Sequence, residues 1–250
     1  MSLLCVLMTS TLLMVSNVTS LVEMKNLTIQ FLRPPMVSIS DLIEEPTRLL
    51  KPRSFPNMQA TLIYRPRDLA SYGQFKVARS GMVLPPLFGA ETKVCIKQSF
   101  FVHPESRQRI IYDGARQAEQ LTTELNCMGW GSALMCSVYE FMAGWRAELG
   151  SPTFEILEMR FVQCGLALDT TNEHMAFLLE EFIDSEKANG SWFVKYLNNN
   201  SAKPRVFSNM AQTLRAEFLS FAQHVQFWRT NGLAFVSDFQ GMRIHFFFIH

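Results

Sequence analysis

From Gln74 to Phe101 short β-branched and aromatic runs alternate with turn residues, in QFKVARSGMVLPPLFGAETKVCIKQSFF. Gly81, Pro85-Pro86 and Gly89 punctuate the runs, which predicts two or three strands. The period then changes. In ARQAEQLTTELNCMGWGSALMCSVYEFMAGW, Ala118, Leu121, Leu125 and Met128 recur at three and four residues, followed by Met135, Val138, Met142 and Trp145. That spacing predicts a long helix packing one face into the core, with Gly129 and Gly131 as a break or kink. FEILEMRFVQCGLAL and HMAFLLEEFI are apolar runs of strand length, and WFVKYL alternates as a strand does. A second helix is predicted from Ser208 as N-cap, with Ala211, Leu214, Phe218, Phe221 and Val225 on its buried face. Asn231-Gly232 then turns the chain into LAFVSDFQG, a buried strand with Asp238 at its exit. The order of elements predicts an α+β fold without internal repeats.

The ends read differently. Residues 32–68 are rich in Pro and Arg (LRPP, EEP, KPR, FPN, YRPRD), which predicts irregular chain or short edge strands. We therefore expect a variable leader and Pro-rich segment over 1–55 and a folded domain over 56–250. The first 22 residues carry no charged side chain. They lack the basic start of a signal peptide, and Thr and Ser interrupt the apolar run, so they make a poor membrane span. A cytoplasmic protein is expected, with secretion as the competing reading.

Composition narrows the function. With 48% apolar and 18% charged residues the chain is globular rather than disordered. A formal net charge of +1 and scattered Lys and Arg give no electrostatic reason for nucleic acid or an acidic membrane as partner. The five cysteines are odd in number and lack Cys-x-x-Cys spacing, which argues against a disulfide framework or an all-cysteine zinc site.

Four stretches hold residues that phosphoryl transfer needs. In VCIK, Lys97 stands on a predicted strand, where its ammonium can neutralise phosphate oxygens. In LLEEFI, Glu180 and Glu181 point to opposite faces of a strand, one toward solvent and the other toward a cleft. In KYLNNN, Lys195 precedes Asn198, Asn199 and Asn200, whose amides either form a turn or serve a catalytic loop. VSDFQGM looks at first like the Asp-Phe-Gly signature of protein kinases with one residue too many. Asp238 and Gln240 share a face in extended chain and make a reasonable oxygen pair for Mg²⁺, and Gly241 permits a turn. An ordinary protein kinase is excluded: there is no His-Arg-Asp loop and no Gly-rich G-x-G-x-x-G near the start.

Taken in order, VCIKQSFF, LTTELNCMGWGSALM, EMRFVQCGLAL, LLEEFI, FVKYLNNNSAKP and AEFLSFAQHVQFWRTNGLAFVSDFQG resemble the alpha-type, atypical protein kinases, most closely their fungal branch. The resemblance covers about Tyr72 to Gly241. It implies a two-lobed kinase fold that binds ATP and Mg²⁺ and phosphorylates Ser or Thr of a protein substrate. It also implies that Lys97 contacts ATP phosphate, with Lys76 of GQFKVA more loosely in a second phosphate contact. Glu180 would lie at the adenine end of the cleft, and Lys195 with Asn198 and Asn199 would support the catalytic centre. Asp238 becomes the catalytic aspartate, and Gln240 with Asp238 the Mg²⁺ ligands. The inserted Leu197 blurs which amide matches which. His224, on its residues alone a core histidine of a helix face, matches the first ligand of the family's structural zinc.

After Asp-x-Gln-Gly the family continues into Leu-Thr-Asp-Pro, a Gly-rich loop and a His/Cys cluster that completes the zinc site. Here MRIHFFFIH follows, and no cysteine comes after Cys164. A lone His224 does not make a tetrahedral site. The expectation is therefore a truncated, incomplete C-lobe without zinc, and either an active kinase or an inactive remnant that works by binding.

Overall fold

The computed structural model describes residues 23–68, 71–73, 75–150, 156–171, 174–183, 194–198, 203–237, 239–241 and 245–247. In chain order the elements are β1 (Lys25–Arg33), α1 (Ile39–Glu44), β2 (Arg53–Tyr64), β3 (Ser71–Tyr72), β4 (Lys76–Leu84), β5 (Lys93–Val102), β6 (Arg109–Ile111) and α2 (Gly114–Leu149). Then come β7 (Arg160–Phe161), β8 (Cys164–Asp169), β9 (Ala176–Glu181), β10 (Val194–Lys195), α3 (Met210–Arg229), β11 (Gln240–Gly241) and β12 (His245–Phe247). The fold class is α+β, as expected.

The larger sheet closes on itself. Its strand order is β3-β4-β2-β1-β8-β9-β5-β6, and β4 also pairs with β5. β4, β2, β1, β8, β9 and β5 thus form a ring in which every pairing is antiparallel. Alternation along each strand sends one set of side chains inward. Leu27, Ile29, Phe31, Leu62, Val83, Val94, Ile96, Ala167, Phe177 and Leu179 fill the interior. The alternate residues, Lys97 and Glu180 among them, face outward.

The Pro-rich tract is irregular over 34–38 and 45–52 but also carries α1 and a long strand. β2 runs for 12 residues and lies between β1 and β4. Its proline is accommodated by a bulge: Gln30 pairs with Gln59, whereas Leu32 already pairs with Ser54. Pro56 falls in the looped-out stretch, before β4 begins to pair at Thr61, so its missing N–H costs no ladder bond. A domain edge at 55/56 would cut this strand and leave β1 outside the barrel it helps to build.

α2 is a single 36-residue helix, capped by Asp113, whose carboxylate accepts from Arg116 N at 2.9 Å. Gly129 does not break it. A Cβ there would lie 3.1 Å from the Pro35 carbonyl oxygen, so the residue serves close approach of the chain after β1. The amino-terminal half of α2 packs Leu121, Leu125 and Met128 against Cys164, Leu166, Ala176 and Leu178 on the outside of the barrel. Its carboxy-terminal half packs Leu134, Met135, Val138 and Met142 against α3 and against Tyr196, Leu197, Val236 and Phe239. The predicted face holds except at its end, where Trp145 is exposed.

α3 starts one residue later than expected, with Asn209 as N-cap. Its core face is Ala216, Leu219, Ala222 and Val225, while Leu214 and Phe221 of the predicted face are exposed. Small alanines let α3 approach closely, and two buried glutamines take polar duty on the same side. Gln223 Nε2 donates to Val236 O at 2.7 Å, and Val236 N donates to Gln226 Oε1 at 2.8 Å. These bonds stand where a strand ladder was predicted for LAFVSDFQG, of which, among the described residues, only Gln240–Gly241 is paired as a strand. Asn231 and Gly232 do turn the chain, both with positive φ (53° and 82°), and Gly232 N returns to Phe227 O as part of the helix end. β10, β11, β12 and β7 make a second, smaller sheet beside this helical layer.

Candidate active site

Register alone places the first group of candidates. Lys97 lies opposite Ala78 of β4 and Leu178 of β9, and Lys76 lies opposite Ser99. The two lysines are therefore diagonal neighbours on one outward face. Glu180 lies opposite both Cys95 and Cys164 on that face. Its Oε1 accepts from Lys97 Nζ at 2.7 Å, and the residues are only 3% and 7% exposed. Lys76 forms a second ion pair, with Glu124 Oε1 of α2. Two ion pairs thus lie side by side where the barrel meets the helix. Removing an ion pair from water costs several kcal/mol per ion, so such a pair is poor economy for stability alone.

Three thiols adjoin this cluster, and two of them are held protonated. Burial pushes Cys127 up to about 11, with Glu124 adding to the effect and Lys76 opposing it. Cys164 is raised well above its ordinary value, chiefly by burial and then by Glu180 and Glu124, with Lys97 opposing. Neither is an activated nucleophile, since the thiolate is the reactive form.

Glu181 points the other way, as a strand requires, but it is not a solvated edge carboxylate. Its Oε2 accepts from Arg160 NH2 at 2.9 Å, and its Oε1 accepts from Gln163 N at 2.8 Å. It ties β7 to the end of β9. Glu180, expected at the adenine end of a cleft, sits on the Lys97 ammonium.

A second group forms around β10 and β11. Lys195 lies directly opposite Gln240. Tyr196 N donates to Phe239 O at 2.8 Å, and Tyr196, Leu197 and Phe239 are buried. Phe161 stacks on Phe239 with ring centroids 6.4 Å apart. The KYLNNN and SDFQG stretches, which begin 42 residues apart in sequence, are thus adjacent, and the inserted Leu197 is core. Asn198 is half-buried. Asp238, Asn199 and Asn200 lie outside the described residues, as does the side chain of Gln240. α2 links the groups, one half sharing a core with Cys164 and Leu178 and the other sharing a core with Phe239.

His224 is exposed on α3 and is not a core histidine. Among the described residues no three His, Cys, Asp or Glu side chains gather into a group able to hold a metal. A cavity of about 520 Å³ opens beside α2 among Arg33, Pro35, Met128, Ala133, Phe161 and Cys164, and neither lysine lines it. The sequence reading missed Glu124, whose signal is a carboxylate between Leu121 and Leu125 on the flank of an apolar helix face. It also missed the buried Gln223 and Gln226.

No curated protein sequence matches the chain. Among solved structures, a mutant of the myosin heavy chain kinase A catalytic domain is similar at 12% identity, over 92% of this chain and 83% of that one. Its TM-score of 0.43 is too low to carry an argument. The Alpha-kinase family profile matches residues 74–248. That span holds both lysines, their carboxylate partners, α2 and the paired β10 and β11 strands, and the chain belongs to the alpha-kinase family, a family of protein kinases.

Proposed function

We propose that this chain binds ATP with Mg²⁺ and transfers the γ-phosphoryl group to a Ser or Thr hydroxyl of a protein substrate. The observation that supports this most is the buried Lys97–Glu180 pair with Lys76 one diagonal away. A cation held in place by a carboxylate meets phosphate without first having to be ordered. In this reading Lys97 and Lys76 receive phosphate oxygens and Glu180 keeps the Lys97 ammonium oriented. Lys195 and Asn199 support the centre from the β10 side, and Asp238 takes the hydroxyl proton. The hydroxyl oxygen bonds to the γ-phosphorus as the bond to the β-phosphate oxygen breaks, leaving ADP. Mg²⁺, when bound, offsets phosphate charge, and Asp238 and Gln240 are its expected ligands.

A second reading is an inactive member that binds nucleotide or a protein partner. It is favoured by MRIHFFFIH, which follows Gly241 without the family's Leu-Thr-Asp. The readings part in one experiment: ATP binding measured directly beside transfer of labelled γ-phosphate to a protein substrate. Binding with transfer supports the kinase, binding without transfer supports the inactive nucleotide-binding member, and absence of ATP binding removes both and leaves only a member that binds a protein partner.

A further inference from the structure

We propose that Glu124 is a positioning residue for nucleotide binding, acting through the ammonium of Lys76. The inference rests on the kinase reading above. Lys76 opens β4, just after the short β3–β4 hairpin in which Gly73 N donates to Lys76 O at 2.8 Å. Its backbone is thus set by the barrel, but a lysine carries a flexible four-carbon stem and about 2 kcal/mol of rotamer entropy. Glu124 removes that freedom. Its carboxylate projects from α2 onto Lys76 Nζ, and the two side chains are only 14% and 13% exposed. This is not a surface pair of the kind that contributes nothing measurable.

The neighbour sharpens the point. Lys97, on the same face, already has Glu180. Without Glu124 the face would hold two closely spaced ammoniums and one carboxylate, and the unpaired ammonium would turn toward water. With it, both cations are neutralised and aimed before nucleotide arrives. Ordinary protein kinases join the strand lysine to the helix through a Lys–Glu pair. Here the strand lysine Lys97 takes its carboxylate from inside the barrel wall, and the helix carboxylate goes to Lys76. Because α2 also packs on Phe239, beside Asp238, Glu124 makes the phosphate contact sensitive to where the helix lies. The loss should fall on nucleotide affinity rather than on the transfer step.

The test is a double-mutant cycle in the full chain, using Glu124→Gln, Lys76→Met and the pair. ATP affinity, KM for ATP, kcat and Tm are read for each. Glu124→Gln is expected to weaken ATP about tenfold, the effect of one lost charge-assisted contact, with kcat within about twofold. Glu124→Asp retains most of the affinity. In the Lys76→Met background Glu124→Gln adds no further loss, because its action passes through that ammonium. The inference is overturned if the losses multiply, or if Glu124→Gln lowers Tm and leaves ATP affinity unchanged. A Glu124 variant without effect beside a Lys97→Ala variant that no longer binds ATP removes this inference alone. Absence of ATP binding by the unsubstituted chain removes the kinase reading with it.

Discussion

Lys97 and Glu180 show what single residues do here. They are buried, adjacent and opposite in charge, and their burial costs more than apolar neighbours would. Removing one partner strands the other. Glu180→Ala should destabilise by about 3–5 kcal/mol, read as a fall in Tm of roughly 6–20 °C. Replacing both, as Lys97→Met with Glu180→Leu, should recover most of that stability while ATP binding stays lost. Recovery of ATP binding in the double variant would show that the pair is structural only. Cys127 predicts a pH effect at the same scale. Its folded pKa is raised from 9.0 to about 11. Both states hold the proton below pH 9, so this contribution is complete there. Above 9 the unfolded chain releases its proton first, and stability falls until the folded thiol titrates near 11. Tm should therefore drop more between pH 8.5 and 10.5 (about two pH units) in the native chain than in Cys127→Ala. Equal slopes would contradict the burial of this thiol.

At the scale of elements, α2 and α3 do the placing. α3 holds the chain before Asp238 through Gln223 and Gln226 rather than through a sheet ladder. Gln226→Leu leaves Val236 N without its acceptor in a buried place and should cost about 1–3 kcal/mol. If Gln226 positions the approach to Asp238, kcat falls while ATP affinity is retained; an unchanged kcat would confine the residue to stability. Sequence period found α2 to within four residues at its end, though not its continuity through Gly129, because Leu121, Leu125, Met128, Met135, Val138 and Met142 are large and regularly spaced. It misplaced the α3 face, because aromatics there cover most of the circumference. The core side is then chosen by how closely alanines let α2 approach, which no single helix records. The shared register of Lys195 and Gln240 was legible only as motif order, since pairing across a 45-residue separation depends on the intervening fold.

For the whole molecule, the barrel is what the chain pattern concealed. KNLTIQFLR alternates inward Leu27, Ile29 and Phe31, but its partners are β2 and β8, the latter more than 100 residues away. The prolines beside it suggested a tail. Its membership in the barrel predicts that a chain beginning at residue 56 loses β1 and cuts β2, and does not fold cooperatively. Circular dichroism and a thermal melt would show this, and a sharp melt for that fragment would contradict the closed ring. Among the described residues no helix is long and apolar enough to cross a membrane. The candidate residues were legible in the sequence because their motifs are local: VCIK, LLEEFI, KYLNNN and SDFQG each declare a residue type. What joins them is not local, and Glu124 reaching Lys76 across 48 residues is the clearest instance.

The central claim is that this face of the barrel, with Asp238 nearby in sequence to Phe239, transfers phosphate from ATP. Its most direct test is transfer of labelled γ-phosphate from Mg-ATP to a protein substrate by the full chain, beside Lys97→Ala and Asp238→Ala. The account predicts label on Ser or Thr with the native chain and a loss of about 100-fold or more in each variant. Transfer undiminished by either substitution, or no transfer from a chain that melts cooperatively and binds ATP, would contradict it.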